Sequence, residues 1–271
     1  MTVQFPPLEL PPDRVHLWLL RLDADTQTVG RLNQSLAGDE RDRAARFRHP
    51  DDARRYTVAR GALRWLIGRY LGLDPALLRF DQGSHGKPAL KHDATTIDLQ
   101  FNLSHSRDVG LAGFCIGRPV GIDVEHADRA LDAEALAARV GSRREQAVLR
   151  SLPPGERERR FIELWTCKEA WLKAVGLGIA AGPAGVDVDL SAGRPSLVGV
   201  PLDSTRTEDW SIALLRPAPG LIAAVAVAVA DSSRELGDPA ERATLPVAPG
   251  LEGERIAFDL RPRGTGSGSS L

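Results

Sequence analysis

Residues Gly121 to Glu125 (Gly-Ile-Asp-Val-Glu) carry carboxylates at Asp123 and Glu125, and Trp165 to Lys173 carry a third, Glu169, between Lys168 and Lys173. On a strand, side chains alternate, so Gly121, Asp123 and Glu125 share one face while Ile122 and Val124 share the other. The apolar face can enter a core. The carboxylate face must meet water, a partner or a cation, because like charges in a dry site are costly. Oxygen ligands supplied sparingly suit magnesium, which keeps several waters and lets phosphates complete its shell. Glu169 and Lys173 lie one helical turn apart and share a face. A carboxylate flanked by ammonium groups beside such a metal would serve transfer at a pyrophosphate, where positive charge offsets the phosphates. Each segment also has a plainer reading. The acids could be solvated at a strand end, and Glu169–Lys173 could be a surface pair worth about 0.2–0.5 kcal/mol.

Lysine is scarce. Of 35 basic residues only Lys87, Lys91, Lys168 and Lys173 are lysine, so arginine is the ordinary surface cation of this chain. A compact ammonium differs from a planar guanidinium in what it can grip, and keeping lysine at these places suggests that an ammonium is wanted. Ser104-His105-Ser106 follows an expected strand and reads either as a turn or as hydroxyl and imidazole donors for phosphate oxygens. Gly86-Lys87-Pro88 is a turn by composition with a lysine at its tip. A serine-hydrolase triad fits Ser104 and His105 poorly, since no nucleophile-elbow spacing is present.

These residues need elements to position them. Val15 to Leu22, Thr96 to Leu103, Val109 to Ile116 and Val120 to Glu125 read as strands, the last two joined at Gly117-Arg118-Pro119. Asp51 to Leu71 and Glu156 to Val175 read as long helices, with Gly176 and Gly178 as stop signals for the second. Leu131 to Val140 and Arg143 to Leu152 suggest short helices. Trp210 to Arg216 and Leu221 to Ala230 make a final strand pair. The order strand, long helix, strands occurs twice, which divides the chain into 1–116 and 117–230. Residues 231–271 lose periodicity and read as a mobile or loosely docked tail, with a short strand at Ile256 to Leu260.

At 271 residues the chain can bury a real core, and its formal net charge of −1 gives no basic field for nucleic acid. Two cysteines make no disulfide framework, and no apolar run reaches about 18 residues. The expectation is a monomeric, cytoplasmic protein without membrane or nucleic-acid partners.

Four motifs then appear in order: Gly86-Lys87-Pro88, Phe101-Asn102-Leu103-Ser104-His105-Ser106, Gly121-Ile122-Asp123-Val124-Glu125, and Trp165-x-x-Lys168-Glu169-Ala170-x-x-Lys173. Over roughly residues 10–230 the chain resembles the 4′-phosphopantetheinyl transferases of the surfactin-synthetase (Sfp) type. The Trp-x-x-Lys-Glu-Ala variant looks like the subgroup that often serves secondary-metabolite synthases. The resemblance implies an α+β fold, a pseudo-twofold pair of similar halves with the active site in the cleft between them. It implies coenzyme A as co-substrate, with Mg2+ (or Mn2+) held by Asp123, Glu125 and Glu169. It assigns Lys173 to the pyrophosphate and Ser104 and His105 to phosphate. Lys87 would meet the phosphates of the adenosine end, with Lys168 a further cofactor contact. Arg43 and Arg55 match positions that grip the 3′-phosphate and adenine, while Glu40 falls where a relative has lysine. The acceptor would be an apo carrier protein, or a carrier domain of a polyketide, nonribosomal peptide or fatty acid synthase. It would dock near the mixed basic and apolar segment Ala137 to Leu149, with Arg139, Arg143 and Arg144. Glu169 is the candidate base, beside Lys173 and His105 as catalytic groups. A metal-dependent nuclease and a non-catalytic coenzyme-binding module are the rival readings. The first is disfavoured because no lysine follows the strand acids at the required spacing, the second because the acids and lysines are intact.

Overall fold

A computed structural model describes residues 5–82, 87–91, 97–178, 182–201, 205–229 and 234–262. The motif residue Gly86, the expected strand end Thr96, Ala230 and the stretch Gly264 to Ser270 lie outside them.

The first half contains β1 (Arg14–Arg21), α1 (Thr26–Ser35), α2 (Gly38–Ala45), α3 (Pro50–Leu71), a small pair β2 (Phe80–Gln82) and β3 (Pro88–Leu90), then β4 (Leu99–Ser106) and β5 (Val109–Ile116). The second contains β6 (Val120–His126), α4 (Ala133–Val140), α5 (Arg143–Ser151), α6 (Pro154–Val175), a small pair β7 (Asp187–Asp189) and β8 (Ser196–Gly199), then β9 (Trp210–Leu215) and β10 (Leu221–Ala228). β11 (Arg234–Ala248) and β12 (Leu251–Pro262) follow.

The main sheet has the order β11-β12-β1-β5-β4 and the second β6-β10-β9, and every pairing is antiparallel. Without β11 and β12, the halves share one plan. The first strand pairs with the last, and the last pairs with the one before it. Each half also sends one 22-residue helix across its sheet. This is the α+β fold of paired halves that the motifs implied.

Alternation explains the layers. Leu17 and Leu19 of β1 meet Ile122 and Val124 of β6 and Ala223, Val225 and Val227 of β10 in a core between the two sheets. Trp18 and Leu20 of β1 and Phe101 and Phe114 of the neighbouring strands point the other way, onto Val58, Leu63, Leu66 and Ile67 of α3. Ile222, Ala224 and Ala226 of β10 pack with Trp171 and Leu172 of α6. Both sheets are thus apolar on both faces, and the helices cover the outer ones.

The expected tail is not a tail. β12 pairs with β1 from Arg14↔Asp259 to Leu20↔Gly253, and β11 closes the edge. Ile256, Phe258 and Leu260 alternate into the core between the sheets and are buried. β11 meets protein near its two ends, Leu236 in the core between the sheets and Val247 and Ala248 in the core against α3. Pro239, Glu241 and Arg242 between those ends are exposed, which dilutes the apolar signal and blunts the free edge. Ending the chain before Arg234 should therefore strip β1 of one partner and abolish cooperative unfolding. The milder Phe258→Ala should cost about 3–5 kcal/mol and lower Tm by on the order of 10 °C. Unchanged thermal melts for both would restore the view of residues 231–271 as dispensable.

Candidate functional site

β6 and α6 meet at one close approach. A Cβ built on Gly121 would lie 2.1 Å from Ala170 O and 2.2 Å from Ala174 N. The space that glycine leaves is therefore filled by helix backbone. Glu169 and Lys173 immediately precede those two alanines, so the contact brings them beside Asp123. α6 starts with Pro154 in its first turn and stops at Gly176, whose φ of 75° suits a left-handed cap.

β4 is the edge of the main sheet, and its side chains, not its backbone, bond to β6. Asn102 Oδ1 accepts from Ile122 N at 3.0 Å. Ser104 Oγ donates to Asp123 Oδ1 at 2.8 Å, and Ser106 Oγ to Glu125 Oε2 at 2.8 Å. These β4 residues occupy every second position, so one strand face supplies all of them. Sequence reading took the Ser104 and Ser106 hydroxyls as possible phosphate donors and gave Asn102 no role of its own. The signal was present in their period-two spacing, the same spacing that exposed Asp123 and Glu125.

Lys173 Nζ lies 2.6 Å from Asp123 Oδ1 and donates to Ser104 Oγ at 3.0 Å. Glu125 Oε1 also accepts from Arg129 at 2.7 Å. Two buried oxygens, Asp123 Oδ2 and Glu169 Oε1, have no hydrogen-bond partner. Desolvation pushes the Asp123 carboxyl up, against the pull of Lys173. Desolvation, with repulsion from Asp123 and Glu125, raises Glu169 to about 7. His105 is held below its ordinary value first by partial desolvation and then by the Lys173 ammonium, so its ring is neutral at pH 7.

These groups test the fit of a cation. Among the described residues, no three acidic, imidazole or thiol groups already converge as a cage. The two unpartnered carboxylate oxygens nevertheless fit a hard divalent ion that retains water and phosphate ligands. Orphaned buried acceptors are costly, and such an ion would satisfy them.

Of the other expected site residues, Arg43 is near enough to lower the His105 pKa, and its guanidinium lies 5.4 Å from the centroid of the Tyr56 ring. Arg55 pairs with Asp23 at 3.3 Å. Glu40, at the position where a relative has lysine, is buried and accepts from Arg60 and Arg64.

Two lysines correct the sequence reading. Lys168 turns away from the carboxylates. Its Nζ lies 2.6 Å from Glu145 Oε2 and donates to the carbonyls of Val140, Pro183 and Val186. Lys87 Nζ donates to Val120 O and Ala174 O, both at 3.0 Å, and burial lowers its pKa to about 8. It ties the start of β6 to the end of α6. An ammonium takes a carbonyl oxygen as readily as a phosphate oxygen, and residue type alone does not separate the two. Arg144 is likewise engaged, by Asp187 at 2.8 Å and Asp189 at 3.3 Å, whereas Arg139, Arg143 and Val148 are exposed.

Two substitutions follow from this packing. Gly121→Ala should cost more than about 2 kcal/mol, because helix backbone cannot rotate aside as a side chain does. It should also depress transfer in the fraction that stays folded, and urea unfolding beside an activity assay checks both. Lys168→Ala leaves Glu145 charged and buried, so a loss of about 3–5 kcal/mol is expected with little change in the KM for coenzyme A. The reverse pattern would return Lys168 to the phosphate site.

Residues 24–114 match the family described as 4′-phosphopantetheinyl transferase, N-terminal, and residues 119–230 match the 4′-phosphopantetheinyl transferase superfamily. The chain is 40% identical over 223 residues to the 4′-phosphopantetheinyl transferase HetI of Nostoc sp., covering 82% of this chain and 91% of that protein. It is 34% identical over 166 residues to a putative 4′-phosphopantetheinyl transferase of Synechocystis sp., covering 61% and 66%. It is 30% identical over 150 residues to the 4′-phosphopantetheinyl transferase Sfp of Bacillus subtilis, covering 55% and 64%. With both halves matched in order and HetI covered almost throughout, the chain belongs to the 4′-phosphopantetheinyl transferase family, enzymes that move phosphopantetheine from coenzyme A to apo carrier proteins.

Proposed function

We propose that this is a transferase of the surfactin-synthetase type and that Asp123, Glu169 and Glu125 hold Mg2+ or Mn2+. The subclass reading is supported by two halves of like strand order in one chain and by the likeness to Sfp. The observation that carries the metal is the pair of unpartnered buried oxygens, one on β6 and one on α6, beside an ammonium. When bound, the ion supplies positive charge against the pyrophosphate of coenzyme A.

The residues then divide the work. Lys173 donates to a pyrophosphate oxygen and gains strength as charge builds on the leaving oxygen. The neutral His105 donates to phosphate, while Ser104, its proton on Asp123 Oδ1, accepts from Lys173 and holds the two together. Arg43 and Arg55 hold the 3′-phosphate and adenine end. The carrier serine oxygen bonds to the β-phosphorus, the bond from that phosphorus to the bridging oxygen breaks, and adenosine 3′,5′-bisphosphate leaves with that oxygen. The serine proton passes to Glu169. Lys87 and Lys168 have no part in this chemistry.

The acceptor is an apo carrier protein or a carrier domain of a polyketide, nonribosomal peptide or fatty acid synthase, in secondary-metabolite biosynthesis. It docks beside α4 and α5, through Arg139, Arg143 and Val148. The chain acts as a cytoplasmic monomer without nucleic acid. The two free, buried thiols fit a reducing compartment, and no helix among the described residues is long and apolar enough to cross a membrane.

Incubation with coenzyme A, Mg2+ and an apo carrier should add the phosphopantetheine mass to the carrier. Excess chelator or Asp123→Ala should abolish the gain, and full activity in either would remove the metal from the site. A pH effect separates the Glu169 assignment. Its native carboxyl titrates near 7 against an ordinary 4.5, so between those values the folded state binds more protons than the unfolded chain. Without divalent cation, stability should therefore fall as pH rises through that window. Glu169→Gln should remove this slope and exceed the parent in stability above the window. Parallel urea midpoints for the two chains across that pH range would contradict it.

A further inference from the structure

The turn joining β4 to β5 is made of Arg107 and Asp108, between the paired residues Ser106 and Val109. Arg107 has φ of 50°, and it is the one non-glycine residue in the left-handed region among the described residues. Such a conformation persists where surrounding contacts hold it. Here the contacts reach across to the end of β6. Arg107 Nη1 donates to Asp128 Oδ1 at 2.8 Å. Ser106 Oγ donates to Glu125 Oε2 at 2.8 Å and lies 3.3 Å from His126 Nδ1. Asp108 Oδ1 sits 3.5 Å from His126 Nε2, on the far side of the ring.

Of the three site carboxylates, Glu125 needs outside help most. Asp123 and Glu169 are 4% and 5% exposed, so packing fixes them. Glu125 is the most exposed of the three, its side chain 14% accessible, and it sits near the strand end with a longer side chain than Asp123. Its bond to Arg129 is a partly exposed i,i+4 pair, and such pairs restrain little. Ser106 is held on a paired strand. Because its proton goes to Glu125, its oxygen can accept one from His126 Nδ1.

We propose that Ser106, itself fixed by His126, is the positioning residue that aims the Glu125 carboxylate at the cation shared with Asp123 and Glu169. This rests on the metal reading above. Neither residue touches the reacting atoms. Their effect passes through Glu125, as partners of metal ligands commonly act.

The test is direct Mn2+ binding by the intact chain in the presence of coenzyme A, read from the electron paramagnetic resonance signal of free Mn2+. Ser106→Ala should weaken Mn2+ binding about tenfold, the lower end of what such partners control. The KM for coenzyme A at saturating Mn2+ should stay within about twofold, and Tm should barely move. Ser106→Thr keeps the hydroxyl and should restore binding. His126→Ala should weaken binding less, and His126→Asn, whose amide can donate near the Nδ1 position, should recover it. The double alanine variant should bind no more weakly than Ser106→Ala, because both changes act on one path. Wild-type Mn2+ affinity in Ser106→Ala, additive losses in the double variant, or a raised KM for coenzyme A in place of weakened metal binding would each overturn the proposal. If the wild-type chain binds no Mn2+ with coenzyme A present, the metal reading falls and takes this inference with it.

Discussion

The contact between the backbone of β6 at Gly121 and the backbone of α6 at Ala170 and Ala174 sets the rest of the site. A strand and a helix approach this closely only where one of them has no side chain. The approach decides how far Glu169 and Lys173 stand from Asp123. It also explains why α6 shows alanine at two positions one turn apart. Lys87 bonds the carbonyls of Val120 and Ala174, which flank the same contact. The scarce lysines thus serve two ends: Lys173 faces the carboxylates, while Lys87 and Lys168 bind the frame that carries them.

A second constraint is electrostatic. Among the described residues, Asp123 and Glu169 are buried on facing elements beside the Lys173 ammonium, and each keeps an oxygen without a hydrogen-bond partner. A chain selected only for stability would not hold this arrangement, since removing the charges would cost less than leaving them unpartnered. Lys168, next to Glu169 on α6, and Glu145 of α5 show the alternative. There every charge meets a counter-charge or a carbonyl, and Glu145 also accepts from Val188 N. Two buried acid–lysine clusters therefore lie along α6, and only one is left incomplete.

Much of this was legible in the sequence because period and polarity agreed. The alternation in Gly121 to Glu125 gave the right face to each side chain, and the long helices announced themselves by apolar spacing and terminal glycines. β5 and β6, on either side of Gly117, lie in different sheets. Three things were hidden. α1 and α2 are short and polar, and their ends are held by Asp25 and Glu40 more than by an apolar stripe. The roles of Lys87 and Lys168 depend on carbonyls contributed by residues distant in sequence. β11 carries too few apolar residues to read as a strand, and β12 was legible only at Ile256 to Leu260, because β1 supplies the surface that makes Phe258 and Ile256 a core.

That last feature constrains the order in which the molecule can be assembled. β1 pairs on one side with β5 and on the other with β12, whose partners for Arg14 to Leu20 run from Asp259 back to Gly253. The main sheet is closed only when a segment more than two hundred residues downstream has been synthesised. Until then β1 keeps an open hydrogen-bonding edge on the side away from β5. A separately expressed first half would lack a strand neighbour however intact its own sequence.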